Sequence, residues 1–159
     1  MKKLLFPALA FVLSTACRQA PAPENILQAR VDSLQRQLKN VYVPGFGELM
    51  LNVQIHHAKL WFAGRKENWL LAAYEESLIR SALRKISVYH QKDPNARFLP
   101  MLTLPLDSLD AAIVGKDPAR FNRGFLFLTT GCNNCHQVTN HAFNVIVVPK
   151  KEPIGNQQF

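Results

Sequence analysis

The stretch Phe121-Asn122-Arg123-Gly124-Phe125-Leu126-Phe127-Leu128-Thr129-Thr130-Gly131-Cys132-Asn133-Asn134-Cys135-His136 decides how this chain is read. Phe121, Phe125, Leu128, Cys132 and Cys135 recur at steps of four, three, four and three, the period of one helix face. Asp117-Pro118 stands just upstream, an N-cap residue followed by proline at the first helical position. The spacing predicts a helix whose buried stripe ends in two cysteines. Whatever those cysteines bind then lies against the core.

Cys132-Asn133-Asn134-Cys135-His136 has the spacing for covalent attachment of a c-type haem. Two thiols add to the two vinyl groups of the macrocycle, and the histidine directly after them binds iron through a ring nitrogen. On a helix, positions 132, 135 and 136 are i, i+3 and i+4, so all three side chains leave from one face. Cys132 and Cys135 are thus the candidate attachment points for one haem c per chain, and His136 is the candidate proximal iron ligand. A two-residue gap closes too small a loop for a stabilising disulfide. Two other chemistries use the same residues. A thiol–disulfide oxidoreductase wants its first cysteine at a helix N-terminus in a βαβ context, whereas this pair sits at a helix end in a helical pattern. Zinc or copper could take Cys132, Cys135 and either His136 or His141, although zinc sites more often draw on two separated ligand pairs.

Working back from this segment, the rest of the chain also reads as helix. A first core helix is expected over 48–63, with Gly64 as its cap and a stripe of Leu49, Met50, Val53, His56, His57, Leu60 and Trp61. A second starts after Asn68, a good N-cap, and runs to about residue 90 on Leu71, Tyr74, Leu78, Ala82, Ile86 and Tyr89. Residues 98–103 are apolar but irregular, with Pro100 inside. A short helix follows, with Pro105 near its first turn, Leu106, Leu109 and Ile113 on one face, and Gly115 as its stop. Beyond Asn140 the β-branched run 145–148 and two prolines predict an extended tail. Four helices joined by short loops predict an all-α, antiparallel four-helix bundle over 44–159.

The N-terminal part predicts the compartment. Lys2 and Lys3 precede an apolar run over 4–13 that is too short to span a bilayer, and Ser14-Thr15-Ala16 supplies small residues for cleavage. Residues 1–16 read as a signal peptide. Cys17 follows directly in the manner of a lipobox, with Ser14 in place of the usual leucine, which predicts lipidation at Cys17 and a tether over 17–25. The third cysteine of the chain is thereby accounted for, leaving only the pair at 132 and 135. Leu27, Val31, Leu34 and Leu38 then mark an amphipathic helix over 26–41, with a narrow seam suited to docking or to a homo-oligomer.

The 159-residue chain carries 19 Lys and Arg against 11 Asp and Glu, a formal charge of +8. Loss of Lys2 and Lys3 with the signal leaves +6. That balance suits an anionic membrane or an acidic redox partner, and export makes nucleic acid an unsuitable one. No paired carboxylates or activated nucleophile mark an enzyme.

A haem motif near the C-terminus of four helices resembles the c-type cytochromes that include cytochrome c-prime and its low-spin relatives. Only 23 residues follow His136, and none is methionine. The chain departs from that class in having Gln137-Val138-Thr139-Asn140 where a basic or aromatic residue tends to follow. His56-His57-Ala58-Lys59-Leu60-Trp61-Phe62-Ala63-Gly64, Asn68-Trp69, Leu71-Ala72-Ala73-Tyr74-Glu75, the haem motif, His141, Phe143 and Asn156-Gln157-Gln158-Phe159 together resemble a family of exported bacterial cytochrome c-like proteins without an assigned activity. The resemblance implies a cytochrome-like fold.

The expectation is a monohaem c-type lipoprotein of the bacterial envelope, facing the periplasm, that transfers electrons to a redox partner. The alternatives are a haem protein that binds or senses NO or CO, and a non-haem zinc or copper protein. For the second axial position on iron, His57 is the preferred candidate because the resemblance runs through it and it shares a seam with Met50, Val53 and Leu60. Met50 and His56 are the other candidates, and a hydrogen-bonded core histidine is the plain alternative.

Overall fold

In a computed structural model, residues 23–159 are described, and every regular element among them is helical. Cys17, the signal segment 1–16 and most of the tether lie outside the described residues. The chain divides into two units, 1–42 and 43–159, each described by itself.

The first unit contributes α1 (Pro23–Lys39). It begins inside the segment read as tether, because Pro23 sits at the helix start, where its missing N–H costs nothing, and Glu24 suits the positive end of the helix dipole. Leu27, Leu34 and Leu38 are exposed along its seam. No helix among the described residues is long and apolar enough to cross a membrane.

The second unit comprises α2 (Phe46–Arg65), α3 (Trp69–Tyr89), a 3₁₀ helix (Ala96–Leu102), α4 (Thr103–Val114) and α5 (Pro118–Val138). Two helix starts follow local chemistry. Asn68 Oδ1 accepts from the Leu71 amide at 3.2 Å, and Asp117 Oδ1 from the Arg120 amide at 2.9 Å. The helix ends do not follow the glycines. Gly64 lies within α2, and the chain turns at Glu67, whose φ is 57°. The Asn68 amide then donates to Ala63 O and the Glu67 amide to Gly64 O, a Schellman closure. The same pair of bonds ends α4 around Lys116 (φ 50°) and α5 around Asn140 (φ 61°). Gly64 serves packing instead. A Cβ there would lie 2.0 Å from the Phe121 ring, so the glycine is what lets α5 seat its phenylalanine against α2. Gly124 acts likewise toward α4, where a Cβ would press on the Leu109 backbone, and Gly131 toward Leu102 of the 3₁₀ helix and Pro105 of α4.

The expected α5 stripe is buried throughout: Phe121 and Phe125 are fully enclosed, Leu128 nearly so, and Cys132 and Cys135 are each 8 % exposed. The α4 face of Leu106, Leu109 and Ile113 is buried as well. The α3 stripe differs from expectation. Tyr74 and Tyr89 are exposed, and the buried face runs through Ala72, Glu75, Glu76, Ile79, Ala82, Leu83 and Ile86. The physical reason is a buried carboxylate with partners on α2. Glu75 is fully enclosed, its Oε2 accepts from His56 Nδ1 at 2.7 Å, and Lys59 Nζ lies 2.8 Å from Oε1 as an ion pair, without the alignment of a directed hydrogen bond. Residues 96–102, irregular in sequence, form the 3₁₀ helix with Pro100 inside it.

After α5 the chain forms no regular element. Ile146, Val148 and Phe159 pack against the core, and the Phe159 ring reaches Phe62 on α2 at 5.7 Å. The tail thus runs along the helices: Phe159 lies toward the Arg65 end of α2, and Ile146 lies at the end where α5 presents its cysteines.

Candidate functional site

A cavity of about 520 Å³ opens at that end. One wall is α2, with Met50, Val53, Gln54 and His57; another is the last turns of α5, with Cys132, Cys135 and His136. Leu99 and Leu102 come from the 3₁₀ helix, and His141, Asn144 and Ile146 from the tail. All three residues of the haem motif thus face one space, and that space is walled largely by apolar side chains.

The two thiols are free. Burial, and then the neighbouring Cys135, push the Cys132 thiol up to about 12, and burial raises Cys135 as well. Both are therefore neutral thiols near pH 7. A thiol–disulfide exchange site needs the opposite, a stabilised thiolate, so the environment disfavours that chemistry.

His136 is half-buried, and its Nδ1 lies 2.5 Å from the Asn144 carbonyl. A carbonyl only accepts, so Nδ1 carries the proton and donates. The lone pair is then on Nε2. This is the arrangement that orients a metal-binding imidazole and raises its basicity. The close of α5 builds it. Asn140 in the left-handed region turns the chain, the His141 amide donates to His136 O at 2.7 Å, and the Asn144 amide donates to His141 O at 2.8 Å. His141 also lines the cavity, and its Nδ1 donates to Thr139 O at 2.7 Å.

Of the three distal candidates, the structure brings Met50 and His57 to the cavity. His56 instead points its Nδ1 to Glu75 on α3 and does not line the cavity. His57 is 3 % exposed, and burial holds its pKa down to about 4, so the ring is neutral. Thr129 Oγ1 donates to the Phe125 carbonyl at 2.8 Å. Its one proton is thereby used, so at 2.9 Å from His57 Nε2 it can only accept. His57 is the Nε2–H tautomer. It ties α2 to α5 and packs on Phe125, its ring tilted 33° at 4.4 Å between ring centres. Beyond it, Trp61, Phe121 and Trp69 continue a row of aromatic rings away from the cavity.

The residues suit a c-type haem on three counts: two neutral thiols and a preoriented imidazole on one helix face, an apolar lining, and a volume within the roughly 300–1,000 Å³ of small-molecule sites. Among the described residues, no group of three or more His, Cys, Asp or Glu is gathered closely enough to hold a bare metal ion.

Sequence reasoning did not find Asn133, Asn144 and Ile146. Asn133 Nδ2 donates to Ile146 O and the Ile146 amide donates to Asn133 Oδ1, both at 2.8 Å. The partners are 13 residues apart in a segment without period, and no local signal links them. Comparison with protein-family models, with curated proteins and with solved structures finds no match.

Proposed function

We propose that this chain is a monohaem c-type cytochrome-like lipoprotein of the bacterial envelope, with electron transfer to a redox partner as its role. The observation that carries the reading is the His136–Asn144 hydrogen bond within the cavity that Cys132 and Cys135 also line. It leaves on Nε2 the lone pair that an axial ligand needs. Cys132 and Cys135 would hold the group by thioether bonds and His136 would bind its iron. Bound there, a haem supplies reversible one-electron chemistry. The chain's own residues hold it, exclude water with the apolar wall, and fix the proximal imidazole. The basic balance of the chain suits an acidic partner surface.

The bundle reading belongs with this proposal. Three-residue connections at 66–68 and 115–117 favour antiparallel neighbours for α2 with α3 and α4 with α5. The signal peptide, the lipid on Cys17 and an oligomer through α1 complete it.

The test is maturation in an exporting host, then intact-mass measurement and a pyridine haemochrome spectrum. The expected result is one covalent haem per chain, absent from the Cys132→Ser/Cys135→Ser double variant. A wild-type chain of unmodified polypeptide mass, colourless after export, sinks the proposal.

A second reading, binding of NO or CO, is favoured by one observation. The Nε2–H of His57 is committed to Thr129, so the ring can offer iron only its Nδ1 lone pair, and the Met50 thioether is the other candidate ligand at the cavity. A ferrous spectrum that is five-coordinate and changes on CO addition selects this reading; a low-spin spectrum, His–Met or bis-histidine, selects electron transfer.

A further inference from the structure

We infer that Asn133, the first residue between the two cysteines, is a positioning residue for His136: its carboxamide clamps the tail at Ile146 and so holds the Asn144 carbonyl on the proximal imidazole. This rests on the haem reading of the site and names a part of it that the CxxCH motif leaves unspecified.

The clamp has two members, Asn133 Nδ2 to Ile146 O and Ile146 N to Asn133 Oδ1, each at 2.8 Å. A backbone amide only donates and a carbonyl only accepts, so the orientation of the carboxamide is fixed by its partners; the reverse orientation would set like against like twice. The side chain thus gives Ile146 the pair of bonds that a neighbouring strand would give. Ile146 in turn packs on the core. Two residues upstream, Asn144 presents its carbonyl to His136 Nδ1. The other end of the segment is held by the turn at 139–141, where the His141 amide donates to His136 O. Residues 141–146 are therefore pinned on both sides, and the pin nearer the tail is a side chain of the haem motif itself. Among the described tail residues, Asn144 is the one that puts a backbone acceptor on His136.

The consequence is electronic as well as mechanical. A strong bond from Nδ1–H to a carbonyl gives the imidazole more anionic character, which favours the oxidised iron. Release of the tail weakens that bond and favours the reduced iron. Outer-shell partners of metal-bound histidines change metal affinity or activity by tenfold or more, and a midpoint potential reports the ratio of the site's affinities for oxidised and reduced iron. The Asn133→Ala protein is accordingly expected to accept an electron about tenfold more favourably, about 59 mV higher in midpoint potential for a one-electron couple.

The experiment uses the matured, full-length protein and compares wild type, Asn133→Ala and Phe159→Ala. The Phe159→Ala variant loosens the tail at its far contact with Phe62 and leaves the clamp intact. Three quantities are read: midpoint potential, the iron–histidine stretch by resonance Raman of the five-coordinate ferrous form (generated by CO photolysis where the haem is six-coordinate), and amide hydrogen exchange over 144–146. Asn133→Ala is expected to raise the potential, lower the stretching frequency and speed exchange at Ile146, while Phe159→Ala leaves the potential and stretch at wild-type values. Fast exchange at Ile146 with unchanged potential and stretch assigns Asn133 a merely structural role and overturns the inference. If Asn133→Ala does not accumulate, Asn133→Ser, which keeps one hydrogen-bonding atom and loses the paired geometry, is read by the same criteria. A wild-type chain without the haem mass overturns the site reading itself, a result distinct from failure of the clamp.

Discussion

Acid should weaken this protein through one histidine. His57 is enclosed between α2 and α5, donates from Nε2 to Thr129 and packs on Phe125, and burial holds its pKa at about 4 against an ordinary 6.5. In the unfolded chain the same ring takes a proton below about 6.5. Between those limits the unfolded state binds the extra proton, so stability rises with pH across the window. The contribution is fully present above pH 6.5 and is lost as the pH falls toward 4. At about 1.36 kcal/mol per pH unit, the gap from 6.5 to about 4 is worth roughly 3 kcal/mol. Glu76 acts in the opposite sense. Burial, the leading effect on it, raises its pKa, so its contribution is present at low pH and is lost as the pH rises through that value. The two are separated by comparing wild type with His57→Gln, which keeps a donor for Thr129 and does not titrate. Urea unfolding followed by far-ultraviolet circular dichroism, at half-unit steps from pH 7.5 to 4, should give a His57→Gln profile flatter than wild type by roughly 3 kcal/mol across the window. The imidazole resonances of His57 should show no titration above pH 5. Parallel profiles for the two proteins, or a His57 midpoint near 6.5, would refute the buried neutral ring.

Gly64→Ala places a methyl group 2.0 Å from the Phe121 ring, which Trp61 and Trp69 hold in place. It is expected to destabilise by about 1–3 kcal/mol in thermal melts, while Gly155→Ala, with nothing within 4 Å and outside any helix, leaves the midpoint near wild type. Equal midpoints for the two variants would contradict the close approach of α2 and α5. Cys17→Ser is expected to move the protein from the membrane fraction to the soluble exported fraction, and wild-type protein found soluble without acyl mass would contradict lipidation.

Those parts of the fold that depend on near neighbours were legible in the residues. The caps at Asn68 and Asp117 lie within three residues of the amides they satisfy, and the α5 stripe is a simple helical period. Helix ends were less so. The turns at Glu67, Lys116 and Asn140 use residues with side chains in a conformation usually marked by glycine, and the glycine at 64 is spent on packing. The α3 face was displaced for a related reason. Hydropathy puts Glu75 on the wet side and Tyr74 on the dry side, and the order inverts because on α2 Lys59 pairs with the carboxylate and His56 hydrogen-bonds to it. At the site, Cys132, Cys135 and His136 stood out by spacing alone, and Met50 and His57 by their seam. The tail wall did not, since the Asn133–Ile146 pairing depends on a turn whose backbone conformation leaves no mark in composition.

The cavity takes its walls from residues 46–57 near the start of the second unit, from 93–102 in its middle and from 132–146 near its end. A chain made from N-terminus to C-terminus therefore finishes almost all of its helices before the pocket can exist. The thiols at 132 and 135 are presented before Asn144 and Ile146 arrive to cover them. Until residues 144–146 are in place the cavity lacks its tail wall, and Cys132 and Cys135 are then at their most accessible to any reagent.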